Sequence, residues 1–201
     1  MKKLVLTLLF VSGAAFAQDI EIKSGDFAFL KDQKEINVEF DYSGFTMMKD
    51  KKTEAQYVEE RTAELNEKSK GNGTIWSKKW STAKESIWNP KFLELVNVVL
   101  NKEKKDVSFQ EGLTTPYTLI VQTVWIYPGW DIAMMKQAAK VTTNLKFVET
   151  ANKSHVLLEI SSEEAPGDQY GSQFSNESRI GEGYAKTGKS FAKLLLKKAY
   201  K

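Results

Sequence analysis

The sequence predicts an α+β fold: a mainly antiparallel sheet of about five strands, in the order ββ-ααα-βββ-α, with helices packed on it. Three observations carry that expectation. Strand-like segments come in groups, at 26–42 and 117–160, instead of alternating one by one with helices. Apolar residues at helical spacing fill the stretch between those groups and return near the end of the chain. No long Gly/Pro/Ser-rich linker divides the chain, and no internal repeat recurs at a fixed period, so residues 18–201 read as a single domain.

The first 17 residues stand apart as an expected signal peptide. Lys2 and Lys3 form a positive start, residues 4–11 are an apolar run broken only by Thr7, and Ala15-Phe16-Ala17 supplies small residues at the two positions a signal peptidase accepts. The apolar run falls well short of the about 20 residues that span a bilayer. Cleavage after Ala17 would make the product periplasmic or secreted. The chain contains no cysteine, so a lipoprotein anchor at the new N-terminus is not expected, nor are disulfides or thiolate metal sites. Loss of the two signal lysines takes the net charge from +3 to +1, which gives no reason to expect nucleic-acid binding. No later stretch reads as an integral membrane segment.

Residues 26–30 (DFAFL) and 36–42 read as a first hairpin, the second strand alternating Ile36, Val38, Phe40 and Tyr42 with polar residues. Thr53, with Gln56 three residues on, reads as a capping box. The helix that follows has only a weak stripe, Tyr57, Val58, Arg61 and Leu65, and breaks at Lys70-Gly71-Asn72-Gly73. Trp76, Trp80, Ala83 and Ile87 recur at helical spacing. Asn89-Pro90 reads as N-cap and first residue of a further helix with Phe92, Leu95, Val96, Val99 and Leu100 buried. Residues 102–112 read as a charged connector.

Residues 117–127 (YTLIVQTVWIY) form the strongest strand signal, apolar on both faces as in a central strand and ended by Pro128-Gly129. Residues 141–149 and 156–160 make a second hairpin, and 163–173 a Gly/Pro/acid loop. A last helix is expected over 176–199. Beside its apolar residues runs a small-residue stripe, Gly181, Ala185, Gly188 and Ala192, expected to bring its backbone close to the sheet.

One string invites a nucleotide-binding reading. Gly183 to Ser190 matches G-x-x-x-x-G-K-S, but a phosphate-binding loop needs a buried strand before it and a helix starting at the lysine. Helical spacing instead runs through Ile180 and Tyr184 across the supposed loop, so no nucleotide and no other cofactor is expected. His155, the single histidine, reads as a solvated strand-end residue, and Glu163, Glu164 and Asp168 as a solvated acidic loop without the calcium-loop pattern. No metal site is expected. No residue stands out as catalytic, although 26 acidic residues offer many carboxylate pairs of the glycosidase kind.

The five tryptophans carry more information. Trp76, Trp80 and Trp125 read as core, while Trp130 follows a turn and belongs to no periodic stripe. With Tyr127 and Asp131 it forms the candidate ligand-binding group: aromatic faces that stack on a sugar or grip a partner, beside a carboxylate.

Several segments resemble a group of small secreted proteins of Bacteroidetes-type bacteria: YTLIVQTVWIYPGW at 117–130, NLKFVETANKSHVLLEI at 144–160, RIGEGYAKTGKSFAKLLLKK at 179–198, and DYSGF with KKTEAQYVEER within 41–61. That resemblance implies an envelope location and a single domain, and carries over no site residue. The expectation is an exported, non-enzymatic protein that binds another envelope component, a protein or a glycan; the alternative is a glycan-binding or glycan-processing protein using residues 127–131.

Overall fold

A computed structural model describes residues 18–132, 135–167 and 175–200, with the side chains of Asp131 and Ile132 outside that description. The expected signal segment lies outside the described residues, as do Asp168 and the rest of the expected acidic loop through Gln173. In chain order the elements are β1 (Asp19–Gly25), β2 (Glu35–Asp41), β3 (Thr46–Met47), β4 (Lys52–Thr53), α1 (Glu54–Lys68), α2 (Asn72–Ala83), α3 (Asn89–Lys102), β5 (Ser108–Glu111), β6 (Tyr117–Tyr127), β7 (Trp130–Ile132), β8 (Met135–Gln137), β9 (Ala139–Glu149), β10 (Asn152–Gly167) and α4 (Asn176–Lys198).

The fold is α+β, but its sheet is mixed and has eight strands, not five mainly antiparallel ones. The main order is β1-β10-β9-β6-β2-β5, with β3 pairing β6 and β4 pairing β3. β1, β10, β9 and β6 run antiparallel in succession, whereas β2 runs parallel to both β5 and β6. β2 is buried at Ile36, Asn37 and Val38, so both faces of its first half are covered, as befits an inner parallel strand. Its Asn37 amide is fully used: Nδ2 donates to Thr118 Oγ1 at 3.1 Å and Oδ1 accepts from the Leu113 N–H at 3.1 Å. A parallel β2–β5 pair needs a long crossover, and α1, α2 and α3 supply it.

The expected first hairpin does not form. Asp26 Oδ1 accepts from the Ala28 N–H at 2.8 Å, and residues Ala28–Leu30 close into a 3-10 turn. Leu30 still reaches the core, from a turn and not from a strand. The first strand is β1, which is polar apart from Ile20 and Ile22 and pairs with β10. The connector at 102–112 contains edge strand β5, and β10 continues to Gly167 through what reads as a loop.

Thr53 caps α1 in the expected box with Gln56. Asn89 is not an N-cap: its φ and ψ of −57° and −51° are helical, and a π turn over Lys84–Trp88 joins α2 to α3 without a break. The wider turn accommodates Pro90, which has no N–H to give. The Asn89 side chain instead accepts from Tyr42 Oη at 2.6 Å and donates to Glu111 Oε1 at 3.2 Å.

α3 and α4 pack together on one face of the sheet. Phe92, Val96, Tyr184, Phe191 and Leu195 bury against Leu119, Val121, Leu145, Phe147 and Ile160. The small-residue stripe of α4 faces α3, not the sheet: a Cβ on Gly188 would lie 2.4 Å from the Phe92 carbonyl oxygen. An aromatic row then leaves this core. Tyr184 stacks on Trp88 at 5.7 Å, Trp88 meets Trp80 at 5.3 Å, and Trp80 meets Tyr57 of α1 at 5.3 Å. Trp80 is buried as expected, whereas Trp76 and Trp125 are only half-buried. Among the described residues no helix is long and apolar enough to cross a membrane.

Candidate functional site

Strand β6 ends at Tyr127, and its exit turn builds one wall of a cleft of about 650 Å³. Gly129 makes that turn at φ 67°, where a Cβ would sit 2.4 Å from the Gln137 carbonyl oxygen, so only glycine fits. Beyond it Trp130 stands at the rim, 37% exposed, while Tyr127 is nearly buried. One amide oxygen fixes both rings: Gln137 Oε1 accepts from Tyr127 Oη at 2.9 Å and from Trp130 Nε1 at 3.0 Å. Their polar tips are thus occupied by protein, and Trp130 keeps its partial exposure at the rim. Asp131 sits in β7 beside Trp130, with its side chain outside the described residues.

α1 supplies the facing wall. Tyr57 is buried at the end of the aromatic row, and its Oη accepts from Asn176 Nδ2 at 3.0 Å, at the start of α4. Burial pushes the Tyr57 hydroxyl above its ordinary range, so it acts as a neutral hydrogen-bonding group. Along the same helix face run Glu60, Arg61, Glu64 and Lys68. Arg61 and Lys68 both bind Glu64, at 2.6 and 2.5 Å. The Lys68 bond first, and then Arg61, hold the Glu64 carboxyl below the usual carboxylate range. Lys52 binds Glu60 and Asp50. Arg179 of α4 is 7% exposed, reaches the cleft from behind, and donates to the Pro128 carbonyl at 3.4 Å and to Asn176 Oδ1. Among the described residues the lining holds four cationic side chains against two carboxylates.

The floor is the β3–β4 turn. Met48 adopts a left-handed φ of 62°, which a methionine side chain rarely takes, and its backbone is held from both sides: its N–H donates to Ile126 at 3.0 Å and its carbonyl accepts from Trp125 Nε1 at 2.7 Å.

Of the three candidate residues, Tyr127 and Trp130 come together on the cleft wall. Tyr57, Arg61, Gln137, Asn176 and Arg179 were not singled out by sequence. Tyr57 and Arg61 fall in the weak stripe of α1, and Glu64 and Lys68 share their helix face, but helical spacing alone does not set that face opposite Trp130.

The other motifs lie elsewhere. Gly183 to Ser190 is interior to α4, with Gly188 packed on α3 and Ser190 Oγ donating to Gln18 Oε1 at 2.5 Å. His155 is exposed, 3.2 Å from Glu149. Glu164 lies in β10 and pairs with Lys140 at 2.5 Å. Among the described residues no group of three or more His, Asp or Glu side chains gathers to hold a metal.

No family model and no curated protein matches the chain. Among solved structures it is similar to two PelC dodecamers from Paraburkholderia phytofirmans, one of them a point variant, each at 9% identity and a TM-score of 0.38. The match covers 86% of this chain and 95% and 96% of those chains. At that level neither the ligand nor the assembly of those proteins carries over, and the chain is placed by its own geometry alone.

Proposed function

We propose that this chain is an exported, non-catalytic envelope protein that binds a glycan component of the envelope in the cleft between α1 and the β6–β7 turn. The observation that carries the reading is the Trp130 ring, fixed at its indole tip and partly exposed on the rim of a cleft of ligand size. Sugar rings present C–H faces to such platforms, and planar amides and guanidinium groups match their hydroxyl pairs. The resemblance to small secreted Bacteroidetes-type proteins and the pattern of residues 1–17 support the export.

Glu64, bound by both Arg61 and Lys68, does not suit the general-acid role of glycoside hydrolysis. A general acid for that reaction needs a raised carboxyl pKa, and Glu64 is driven the other way by two cations.

The test is titration of the mature protein, residues 18–201, against a panel of purified bacterial envelope glycans, read by tryptophan fluorescence. At least one glycan binds and is recovered uncleaved, and Trp130→Ala weakens it at least about tenfold, the order expected of a stacking residue worth about 1–3 kcal/mol. Cleavage of the bound glycan by the protein, or binding indifferent to Trp130→Ala, contradicts the reading.

A further inference from the structure

The β3–β4 turn has a second flank. Met48 and Lys52 look into the cleft already described, while Thr46, Lys49 and Lys51 of the same turn line another of about 470 Å³. The two clefts share Tyr127 as a common wall. They also share a tether: Gln137, whose side chain holds Trp130 at the first rim, lines the second.

Each cleft has its own indole platform. In the second it is Trp125, half-buried, its Nε1 held by the Met48 carbonyl at 2.7 Å and its ring parallel to Tyr127 within 14° at 6.2 Å. Both indole N–H groups are therefore satisfied internally, and both rings are fixed before any ligand arrives. Such pre-organisation lowers the ordering cost of binding.

The charge of the second cleft is the decisive addition. Lys49, Lys51 and Lys140 face Glu163 and Glu164 there. Lys140 is paired with Glu164. Lys49 and Lys51 are exposed and have no ion-pair partner among the described residues. Unpaired lysines beside a stacking platform fit a saccharide carrying carboxylate or other acidic groups, and the cation excess of the first cleft has the same sign.

We propose that the second cleft is a second subsite for the same ligand, so that the protein holds an extended acidic glycan across the Tyr127 wall, stacked on Trp130 on one side and on Trp125 on the other. This rests on the glycan-binding reading above. It adds the ligand's length and its charge.

The experiment uses the mature protein with oligogalacturonates of two and eight residues, and the eight-residue chain fully methyl-esterified as a neutral match. The octamer binds at least about tenfold more tightly than the dimer, because a chain in both subsites gains from its second contact at high effective concentration. The Lys49→Glu/Lys51→Glu variant loses that excess and keeps wild-type affinity for the dimer. The methyl ester loses the excess as well. Equal affinity for dimer and octamer in the wild type, or an excess that survives in the variant or in the ester, overturns the second subsite and leaves the glycan site standing. Dimer binding lost in the lysine variant also overturns it, since those lysines would then serve the first cleft. A protein that binds neither oligomer overturns the acidic-chain proposal, and the envelope-glycan panel separately decides the reading beneath it.

Discussion

Gln137 is the residue on which the site's shape turns. Its single amide oxygen receives the hydroxyl of a nearly buried tyrosine and the indole N–H of the rim tryptophan. Gln137→Ala strips both donors of their partner. The Tyr127 hydroxyl is then left in a poorly hydrated place, at a cost of about 1–3 kcal/mol, which urea denaturation reads directly. The Trp130 ring loses its fixed angle, so glycan affinity falls as well. A variant that keeps full stability and affinity would show that the shared tether is incidental. The candidate residues on this wall were legible because they interrupt a pattern: Trp130 follows a Pro-Gly turn and fits no periodic stripe. Gln137 was not legible. Nothing in a lone glutamine signals that two aromatic tips will converge on it from residues ten and seven positions earlier.

At the scale of elements, α3 and α4 show how close two helices come when side chains are absent. A Cβ on Gly188 would stand 2.4 Å from a backbone oxygen, which cannot move aside. Gly188→Ala therefore destabilises the protein by about 1–3 kcal/mol through overpacking, despite the gain of about 1 kcal/mol in helix propensity. Gly181→Ala offers a milder case: its Cβ would meet Ile87 Cγ2 at 2.7 Å, the branch methyl of a stiff side chain, which can give more than a backbone oxygen but not freely. It destabilises the protein less than Gly188→Ala does, the helix-propensity gain of about 1 kcal/mol offsetting part of the repacking cost. Paired thermal melts separate the two, and equal losses at both positions would contradict this packing. The stripe itself was visible in sequence, but its partner was not. Small residues announce a close approach without saying to what, and a helix–helix contact between residues far apart in the chain has no local signature. The same limit explains the sheet. β6, the β9–β10 hairpin and the α1 cap follow from local spacing and were legible. The parallel pairing of β2 with β5 and β6 depends on where three helices carry the chain, and DFAFL imitates a strand until Asp26 closes a turn.

The whole molecule reads as a platform with its chemistry at one end of the sheet. The helical face supplies the core, and the aromatic row from Tyr184 to Tyr57 links that core to the back of the cleft. The site wall formed by α1 was the part of the site least legible in sequence. It is polar, and polar helix faces ordinarily mean solvent; only the fold sets this one opposite Trp130. Gln18, the first residue after the expected cleavage point, is built into the same body, donating to Ser162 at 2.7 Å and accepting from Ser190.

The most direct test of the binding site is the nitrogen–proton spectrum of the five indole groups during titration with the bound glycan, the Trp130 signal being assigned by its disappearance in Trp130→Ala. The account predicts that the Trp130 signal shifts on binding while that of Trp88, buried in the core, stays in place. A Trp130 signal that does not move at saturating glycan would contradict it.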